Sequence, residues 1–256
     1  MSMTWDPQQY LAFGGHRLRP ALELLLRIPL TDPAEVIDLG CGPGNVTRYL
    51  RERWPEARIT GVDNSPEMLA EAAKAHPATD WVAADLAEWE PARPVDVLYS
   101  NAALQWLEGH DRLFGRLMGF LRPGGVLAVQ MPRNFGAPSH TLMFEVADDG
   151  PWADRLRGIH RRSPVAEPGY YYDRLAPHAK ALDIWETEYQ QVLDGENPVP
   201  EFTKGSWLKT LLDALEEPLR TQFWEAYRVR VLEAYPPKAD GHTLFPFKRL
   251  FIVATA

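Results

Sequence analysis

Apolar and polar positions follow two alternating patterns over the first half of the chain. Five short, mostly apolar runs predict buried β-strands, at residues 35–39, 58–63, 80–85, 95–101 and 126–131. The segments between them have apolar residues three or four positions apart, which predicts helices at 45–54, 66–75 and 110–121. Ser65 followed by Pro66 is a typical helix start, and residues 122–125 (RPGG) predict a turn. Strands that alternate with helices in this way form a parallel, doubly wound sheet.

The second half of the chain alternates less regularly. Two further strands are predicted at 181–193 and 245–256, and two helices within 201–235. We therefore predict an α/β fold with a doubly wound, mostly parallel seven-stranded sheet and a helical cap. The whole chain, 1–256, is predicted to be a single domain. Its core is 30–132 with 181–193 and 244–256, and the cap insertions, over the carboxyl edge of the sheet, are at about 133–180 and 194–243.

Composition narrows the classes of function. The 256 residues carry a formal net charge of −8, which disfavours sequence-independent binding of nucleic acid or of an anionic membrane. No stretch approaches a transmembrane length and the N-terminus has no apolar signal region, so we expect a cytoplasmic protein. With one cysteine, no internal disulfide or cysteine-based metal site can form. No exposed heptad or large apolar stripe is evident, and we expect a monomer.

A glycine-rich loop follows the first predicted strand. The stretch VIDLGCGPGN places glycines at Gly40, Gly42 and Gly44, where the backbone N–H groups of the following helix can face a ligand. Dinucleotide sites use G-x-G-x-x-G, but here the third glycine comes one residue early and Asn45 takes the last position. The match to a pyrophosphate site is therefore weak.

Three carboxylates suggest a different ligand. Asp38 precedes the loop and can accept from an amino group, Asp63 ends the second strand and can bind both hydroxyls of a ribose, and Asp85 follows the third strand and can accept from an adenine amino group. Ligands of doubly wound sheets bind at the carboxyl ends of the strands. Carboxylates around a nucleoside suit a positively charged ligand without phosphates, such as S-adenosylmethionine.

The sequence resembles the class I S-adenosylmethionine-dependent methyltransferases, which have a Rossmann-like fold. The resemblance rests on VIDLGCGPGN, TGVDNSPEML, VAADL, VDVLYSNAALQWL and LRPGGVLAVQMP, which agree in order and spacing over 36–132. It implies S-adenosylmethionine as cofactor and S-adenosylhomocysteine as product. The seven histidines show no metal-ligand spacing, so we expect no metal. An N-terminal helix closes over the nucleoside in that class, which adds Arg17. The predicted cofactor-binding residues are Asp38, Gly40, Gly42, Asn45, Asp63, Asn64, Ser65, Asp85, Leu86, Asn101 and Arg17.

Further stretches resemble the methyltransferases that esterify one carboxylate of trans-aconitate, a tricarboxylate. They are the N-terminal MTWDPQQYLAFGGHRLRPALELLLRIPL, NAALQWL after strand four, QMPRNFGAPSH after strand five and FPFKRLFIVA near the end. The resemblance implies that the partner is a small polycarboxylate, methylated to a monomethyl ester.

The implied chemistry needs no general base. A carboxylate is already ionised at pH 7, because its ordinary pKa is near ~4, so alignment and exclusion of water suffice. We therefore predict no catalytic residue. The spare carboxylates need hydrogen-bond donors, with arginine the best partner. The predicted substrate-binding residues are Gln105, Trp106, Arg133, Asn134, His140, Tyr171 and Arg249.

Three alternatives remain open from the sequence. The acceptor can be another small di- or tricarboxylic acid, or a carbon or nitrogen nucleophile, which would usually need a base in the pocket. A non-catalytic S-adenosylmethionine-binding module is a third possibility, against which the intact loops argue. A nicotinamide dehydrogenase is disfavoured by the position of the third glycine.

Overall fold

The computed structural model describes residues 14–159, 165–205 and 207–256, except for the side chains of residues 14, 16 and 17. Its strands are β1 (Glu35–Leu39), β2 (Arg58–Asp63), β3 (Asp80–Ala83), β4 (Val95–Asn101), β5 (Leu121–Pro132), β6 (Ala181–Leu193) and β7 (Thr243–Thr255). Its helices are α1 (Gly14–Leu26), α2 (Thr47–Arg53), α3 (Pro66–Ala75), α4 (His110–Gly119), α5 (Pro138–Asp148), α6 (Ala153–Leu156), α7 (Pro168–Leu175), α8 (Pro198–Thr203), α9 (Trp207–Asp213) and α10 (Leu219–Ala234). A 3-10 turn, Leu104–Trp106, follows β4.

The strands form one seven-stranded sheet in the order β3-β2-β1-β4-β5-β7-β6. β1 to β5 pair in parallel with their neighbours. β7 pairs with β5 in the antiparallel sense, from Val126 opposite Thr255 to Pro132 opposite Arg249. The predicted α/β, doubly wound, mostly parallel fold is confirmed.

Local sequence explains several element boundaries. Four strands have the predicted limits, namely β1, β2, β4 and β6. Helix α3 begins as predicted, because Ser65 takes the N-cap and its hydroxyl accepts a hydrogen bond from the N–H of Met68 at 3.2 Å. Pro66 occupies the first helical position, where its missing N–H costs no hydrogen bond.

The predicted turn at 122–125 is wrong. β5 begins at Leu121, which pairs with Val95, and the register shifts before the regular pairing resumes at Val97. Gly124 has φ +81°, and a Cβ on Gly125 would lie about 3 Å from three backbone carbonyl oxygens. The glycines therefore permit an irregularity inside the strand, where the sequence pattern suggested its beginning.

The described chain forms two compact units. One contains 14–132, 165–187 and 249–256, and the other contains 133–159, 188–205 and 207–248, so that β6 and β7 contribute residues to both. The first unit has a core of buried aliphatic side chains that includes Leu39, Leu98, Leu127 and Ile252. Each such side chain contributes roughly 1.5–3 kcal/mol when buried.

The second unit is mainly helical. Its buried core includes Leu208, Phe223, Tyr227 and Val231. Three helices lie between 198 and 234 where two were predicted, because Pro198 starts the additional helix α8. That this unit is a cap within a single domain stays a prediction. Among the described residues, no helix has the length and apolarity needed to cross a membrane.

Candidate functional site

The glycine loop between β1 and α2 has three left-handed glycines, with φ of +73° at Gly40, +54° at Gly42 and +78° at Gly44. A Cβ on Gly40 would lie 2.1 Å from the Cβ of Ala103, and one on Gly44 would lie 2.9 Å from Trp81. No described atom lies within 4 Å of the corresponding position at Gly42. Two glycines therefore permit close packing, and Gly42 alone faces open space.

Asp63 is held at the end of β2 by two backbone hydrogen bonds. The N–H of Gly42 donates to its Oδ2 and the N–H of Ser65 donates to its Oδ1, each at 2.9 Å. A carboxylate has about four acceptor positions, so both oxygens can still accept from a ligand. The predicted residue Asn64 is exposed beside it, whereas the hydroxyl of Ser65 caps helix α3.

Asp38 lies on β1, just before the glycine loop. It is only 2% exposed, and the Thr47 hydroxyl donates to its Oδ2 at 2.6 Å. Burial raises the pKa of Asp38 to about 7, Thr47 opposes this shift, and the charge of Asp63 adds to it. Asp38 therefore holds the loop and helix α2 together, while Asn45 is half-buried in the loop itself.

The segment after β3 lies at the carboxyl edge of the sheet, as the glycine loop does. Asp85 is exposed, and its Oδ1 accepts from the N–H of Ala87 at 2.8 Å. The carbonyl of Leu86 accepts from the Arg116 guanidinium at 2.6 Å. A Leu86 methyl group lies 3.7 Å from the position that a Cβ on Gly40 would take, so this segment lies close to the glycine loop.

The turn after β4 also lies next to the glycine loop, because Ala103 occupies the position of a Cβ on Gly40. Ala102 has φ +55°, which is unusual for a residue other than glycine. The side chain of Gln105 is buried, and its Nε2 donates to the Ala102 carbonyl at 2.7 Å. Among the described residues, neither Oε1 of Gln105 nor Oδ1 of Asn101 has a hydrogen-bond partner. Trp106 is half-buried at the end of the turn.

Arg249 and Gln130 form a buried pair at the end of β5. Arg249 is 3% exposed, and its Nη1 donates to Oε1 of Gln130 at 3.3 Å. Gln130 is directly opposite Asn101 on β4, so both side chains share one face of the sheet. Gln130 was not among the predicted site residues. A glutamine inside the apolar run VLAVQM was the available signal.

Tyr171, which was predicted to bind substrate, is hydrogen-bonded inside the sheet unit. It is fully buried, and its hydroxyl contacts Nδ1 of His110 at 2.7 Å and accepts from the N–H of Ala166 at 3.2 Å. The sequence did not single out His110, whose Nε2 lies 2.9 Å from the carbonyl of Leu104. Burial lowers the pKa of His110, so its ring is neutral at pH 7.

The predicted residues after β5 lie in the helical unit. Asn134 accepts from the N–H of Lys248 at 3.2 Å and donates to the Ser139 hydroxyl at 3.4 Å, which closes the segment before α5. His140 is buried with its ring 5.3 Å from that of Phe135, and burial lowers its pKa to about 4. This histidine is therefore neutral at pH 7 and can donate or accept a hydrogen bond, but carries no charge.

Three further residues complete the account of the predictions. Arg133 is half-buried, and its N–H donates to the carbonyl of Lys248 at 2.9 Å. The side chain of Arg17 lies outside the described residues. Cys41 is buried, and its pKa is raised by burial and by Asp38 and Asp63, so the thiol remains protonated at pH 7. Across the described residues, no cluster of histidine, cysteine, aspartate and glutamate could hold a metal ion.

Known proteins share this fold. Residues 36–125 match the family model described as "Methyltransferase domain". The fold is similar to that of Haemonchus contortus phosphoethanolamine N-methyltransferase 2 in complex with S-adenosylhomocysteine, at 16% identity and TM-score 0.55 over 92% of this chain and 52% of that one. It is also similar to the YcgJ protein from Bacillus subtilis, at 12% identity and TM-score 0.58 over 93% and 98% of the two chains. The matching family model, which spans the glycine loop, and the shared fold thus indicate a methyltransferase domain.

Closer relatives identify the family within that class. Over 98% of both chains, the sequence is 51% identical to trans-aconitate 2-methyltransferase from Azoarcus sp. (strain BH72). It is 49% identical to the protein of the same name from Streptomyces avermitilis, over 98% of this chain and 96% of that one. The chain belongs to the trans-aconitate 2-methyltransferase family, which confirms the resemblance.

Proposed function

We propose that this protein transfers the methyl group of S-adenosylmethionine to a carboxylate of trans-aconitate, giving a monomethyl ester and S-adenosylhomocysteine. The proposal rests on relatives named trans-aconitate 2-methyltransferase, which are 44–51% identical to this protein over 98% of the chain. This similarity extends beyond residues 36–125, the part that the general methyltransferase model matches.

The residues around the glycine loop fit the cofactor. Gly42 faces open space, and the neighbouring turn has acceptor atoms on Asn101 and Gln105 that no described residue satisfies. A nucleoside with an amino-acid tail brings hydroxyl, amino and ammonium donors, which match such acceptors. When bound, S-adenosylmethionine supplies an electrophilic methyl group on a sulfonium sulfur.

Each of the three carboxylates predicted from the sequence has a distinct proposed role. Asp63 has a fixed orientation and binds the ribose hydroxyls, and exposed Asp85 binds the adenine amino group. Asn64 and Leu86 flank these positions. Asp38 is buried against Thr47, and we assign it to support of the loop rather than to a direct ligand contact.

The acid requires donors rather than a base. Its carboxylates are ionised at neutral pH, so no side chain has to remove a proton before the methyl group is transferred. In the sheet unit, the Arg249 guanidinium and the Gln130 amide are the donors best suited to a spare carboxylate. The protein contributes by orienting the acid and excluding water.

Transfer of labelled methyl groups tests the proposal. The pure protein is incubated with methyl-labelled S-adenosylmethionine and, in separate reactions, trans-aconitate, cis-aconitate, isocitrate, citrate and malonate. The products are then treated with mild base, which releases volatile labelled methanol from an ester and leaves ether, N-methyl and C-methyl products intact. We expect base-labile product with trans-aconitate. Its absence with every acid would refute carboxyl methylation, and a stronger reaction with another acid would identify that acid as the substrate.

We also propose that the protein acts as a cytoplasmic monomer on a small molecule, without a nucleic-acid or membrane partner. The net charge of −8 supports this proposal, because polyanions and anionic lipids would be repelled. Light scattering after size exclusion measures the mass against the 29.0 kDa of one chain. A mass near twice that value, or retention on anionic vesicles, would refute the corresponding part.

A further inference from the structure

A chain of hydrogen bonds fixes the turn after β4. The carbonyl of Leu104, inside that turn, lies 2.9 Å from Nε2 of His110, and Nδ1 of the same ring lies 2.7 Å from the Tyr171 hydroxyl. The N–H of Ala166 lies 3.2 Å from that hydroxyl. His110 and Leu104 are almost completely buried, and Tyr171 is fully buried.

The groups at the two ends of this series of hydrogen bonds, the Leu104 carbonyl and the Ala166 N–H, determine which atom donates in each bond. A carbonyl only accepts, so Nε2 of His110 carries the proton and donates to Leu104. In a neutral ring Nδ1 is then an acceptor, and the Tyr171 hydroxyl donates to it. The tyrosine oxygen in turn accepts from the Ala166 N–H. No second arrangement of the protons satisfies all three bonds with a neutral histidine.

The turn held in this way contacts the glycine loop. Ala103 occupies the space that a side chain at Gly40 would need, at 2.1 Å between Cβ positions. Gln105 projects from the same turn, with its amide nitrogen committed to the Ala102 carbonyl at 2.7 Å. Its Oε1 is left buried and without a partner among the described residues. A buried acceptor without a donor is unfavourable, so a ligand that donates to this atom would gain affinity from the contact.

Because Oε1 of Gln105 can only accept a hydrogen bond, it discriminates between the acid and the cofactor. Ionised trans-aconitate has only acceptor oxygens and cannot donate to Oε1. The cofactor has donors, and their order can be matched to the strands. If Asp85 after β3 binds adenine and Asp63 after β2 binds ribose, the methionine moiety extends towards β1 and β4, next in the sheet. Its ammonium is the donor on that moiety.

We propose that Gln105 accepts a hydrogen bond from the ammonium of the cofactor's methionine moiety, and that His110 and Tyr171 are positioning residues that hold its turn. This inference rests on the proposed use of S-adenosylmethionine, but not on the identity of the acid. It moves Gln105 from the predicted substrate-binding residues to the cofactor site.

Calorimetric binding of two nucleosides to a Gln105→Met variant tests the first part. S-adenosylhomocysteine has the ammonium, whereas 5′-methylthioadenosine has the same nucleoside without it. We expect the Kd of S-adenosylhomocysteine to rise about tenfold or more, because a bond to a charged group is lost, and the Kd of 5′-methylthioadenosine to change less than about twofold. Gln222→Met, an exposed position on α10, is the matched control and should leave both values unchanged.

Each other outcome overturns the assignment. An unchanged Kd for S-adenosylhomocysteine excludes the contact, and equal weakening of both nucleosides shows a general loss of loop structure. A raised KM for the acid with unchanged nucleoside binding returns Gln105 to the substrate. Because binding is measured without acid, the result stands even if trans-aconitate is not methylated.

Tyr171→Phe tests the positioning role, because it removes the donor to His110 and keeps the ring. We expect the Kd of S-adenosylhomocysteine to rise about threefold to tenfold and that of 5′-methylthioadenosine to stay within about twofold. A lower melting temperature with unchanged S-adenosylhomocysteine binding would show that the tyrosine supports the core alone.

Discussion

Replacing Gly40 by alanine places a Cβ where the fold has no room for it. The new atom would lie 2.1 Å from the Cβ of Ala103, and the backbone would keep φ +73°. The left-handed conformation costs about 1–2 kcal/mol for an alanine, and overpacking costs about 1–3 kcal/mol. We therefore expect the free energy of unfolding to fall by about 2–5 kcal/mol.

Gly42→Ala provides a matched control two residues away. Its φ is +54°, so the backbone cost is similar, about 1–2 kcal/mol, but no described atom lies within 4 Å of the new Cβ. The methyl group would instead enter the space assigned to the cofactor. We expect a small loss of stability and a large loss of S-adenosylhomocysteine affinity, about tenfold or more.

Urea unfolding followed by circular dichroism measures the stability of both variants, and calorimetry measures binding. Gly40→Ala should be the less stable of the two variants. Gly42→Ala should lose more S-adenosylhomocysteine affinity than its small loss of stability would explain. If Gly42→Ala bound S-adenosylhomocysteine as tightly as the unmodified protein, the open face of the loop would not be the cofactor site. Equal destabilisation by both substitutions would show that Ala103 can move aside.

Three further predictions concern single side chains. Arg249→Ala should raise the KM for trans-aconitate about tenfold or more and leave the Kd of S-adenosylhomocysteine unchanged. Lys248→Ala is the neighbouring control. Equal effects on both ligands would show that Arg249 does not bind the acid. Asp38 has its pKa raised from 3.8 to about 7, so the native state keeps a proton that the unfolded chain releases. The stability of the unmodified protein relative to Asp38→Asn should therefore fall on the order of 4 kcal/mol as pH rises from about 4 to about 7, and level off above; a pH-independent difference in urea titrations would contradict the shift. Native Cys41 should react with Ellman's reagent far more slowly than in urea, and equal rates would contradict its burial.

The sequence was sufficient for features that depend on nearby residues. The limits of β1, β2, β4 and β6 follow from apolar runs, and the start of α3 follows from Ser65 and Pro66. The turn predicted at 122–125 failed because the partner of Leu121 is Val95, about 26 residues earlier, and local turn signals cannot report such pairing. Gly124 and Gly125 carry the same signal in a bulge as in a turn.

The site shows the same division between local and distant information. Motif positions pointed to Asp63 and Gly42, which the structure joins by a hydrogen bond. Gln130 and His110 were missed, because their roles depend on partners 119 positions away at Arg249 and 61 positions away at Tyr171. No periodicity in the sequence encodes those distances. Tyr171 was selected as a tyrosine in a predicted cap, but its fully buried hydroxyl serves the sheet unit.

The reversed direction of β7 has a consequence for how this enzyme can be altered. Because β7 enters the sheet where the parallel strands end, Arg249 lies opposite Pro132, and the later residues from Leu250 to Ala254 continue into the core. One strand thus holds the proposed acid-binding residue, Arg249, and directly after it the residues that anchor the strand in the core. We therefore expect that substitutions at position 249 can change which acid is bound, while the residues after it keep the strand anchored in the sheet.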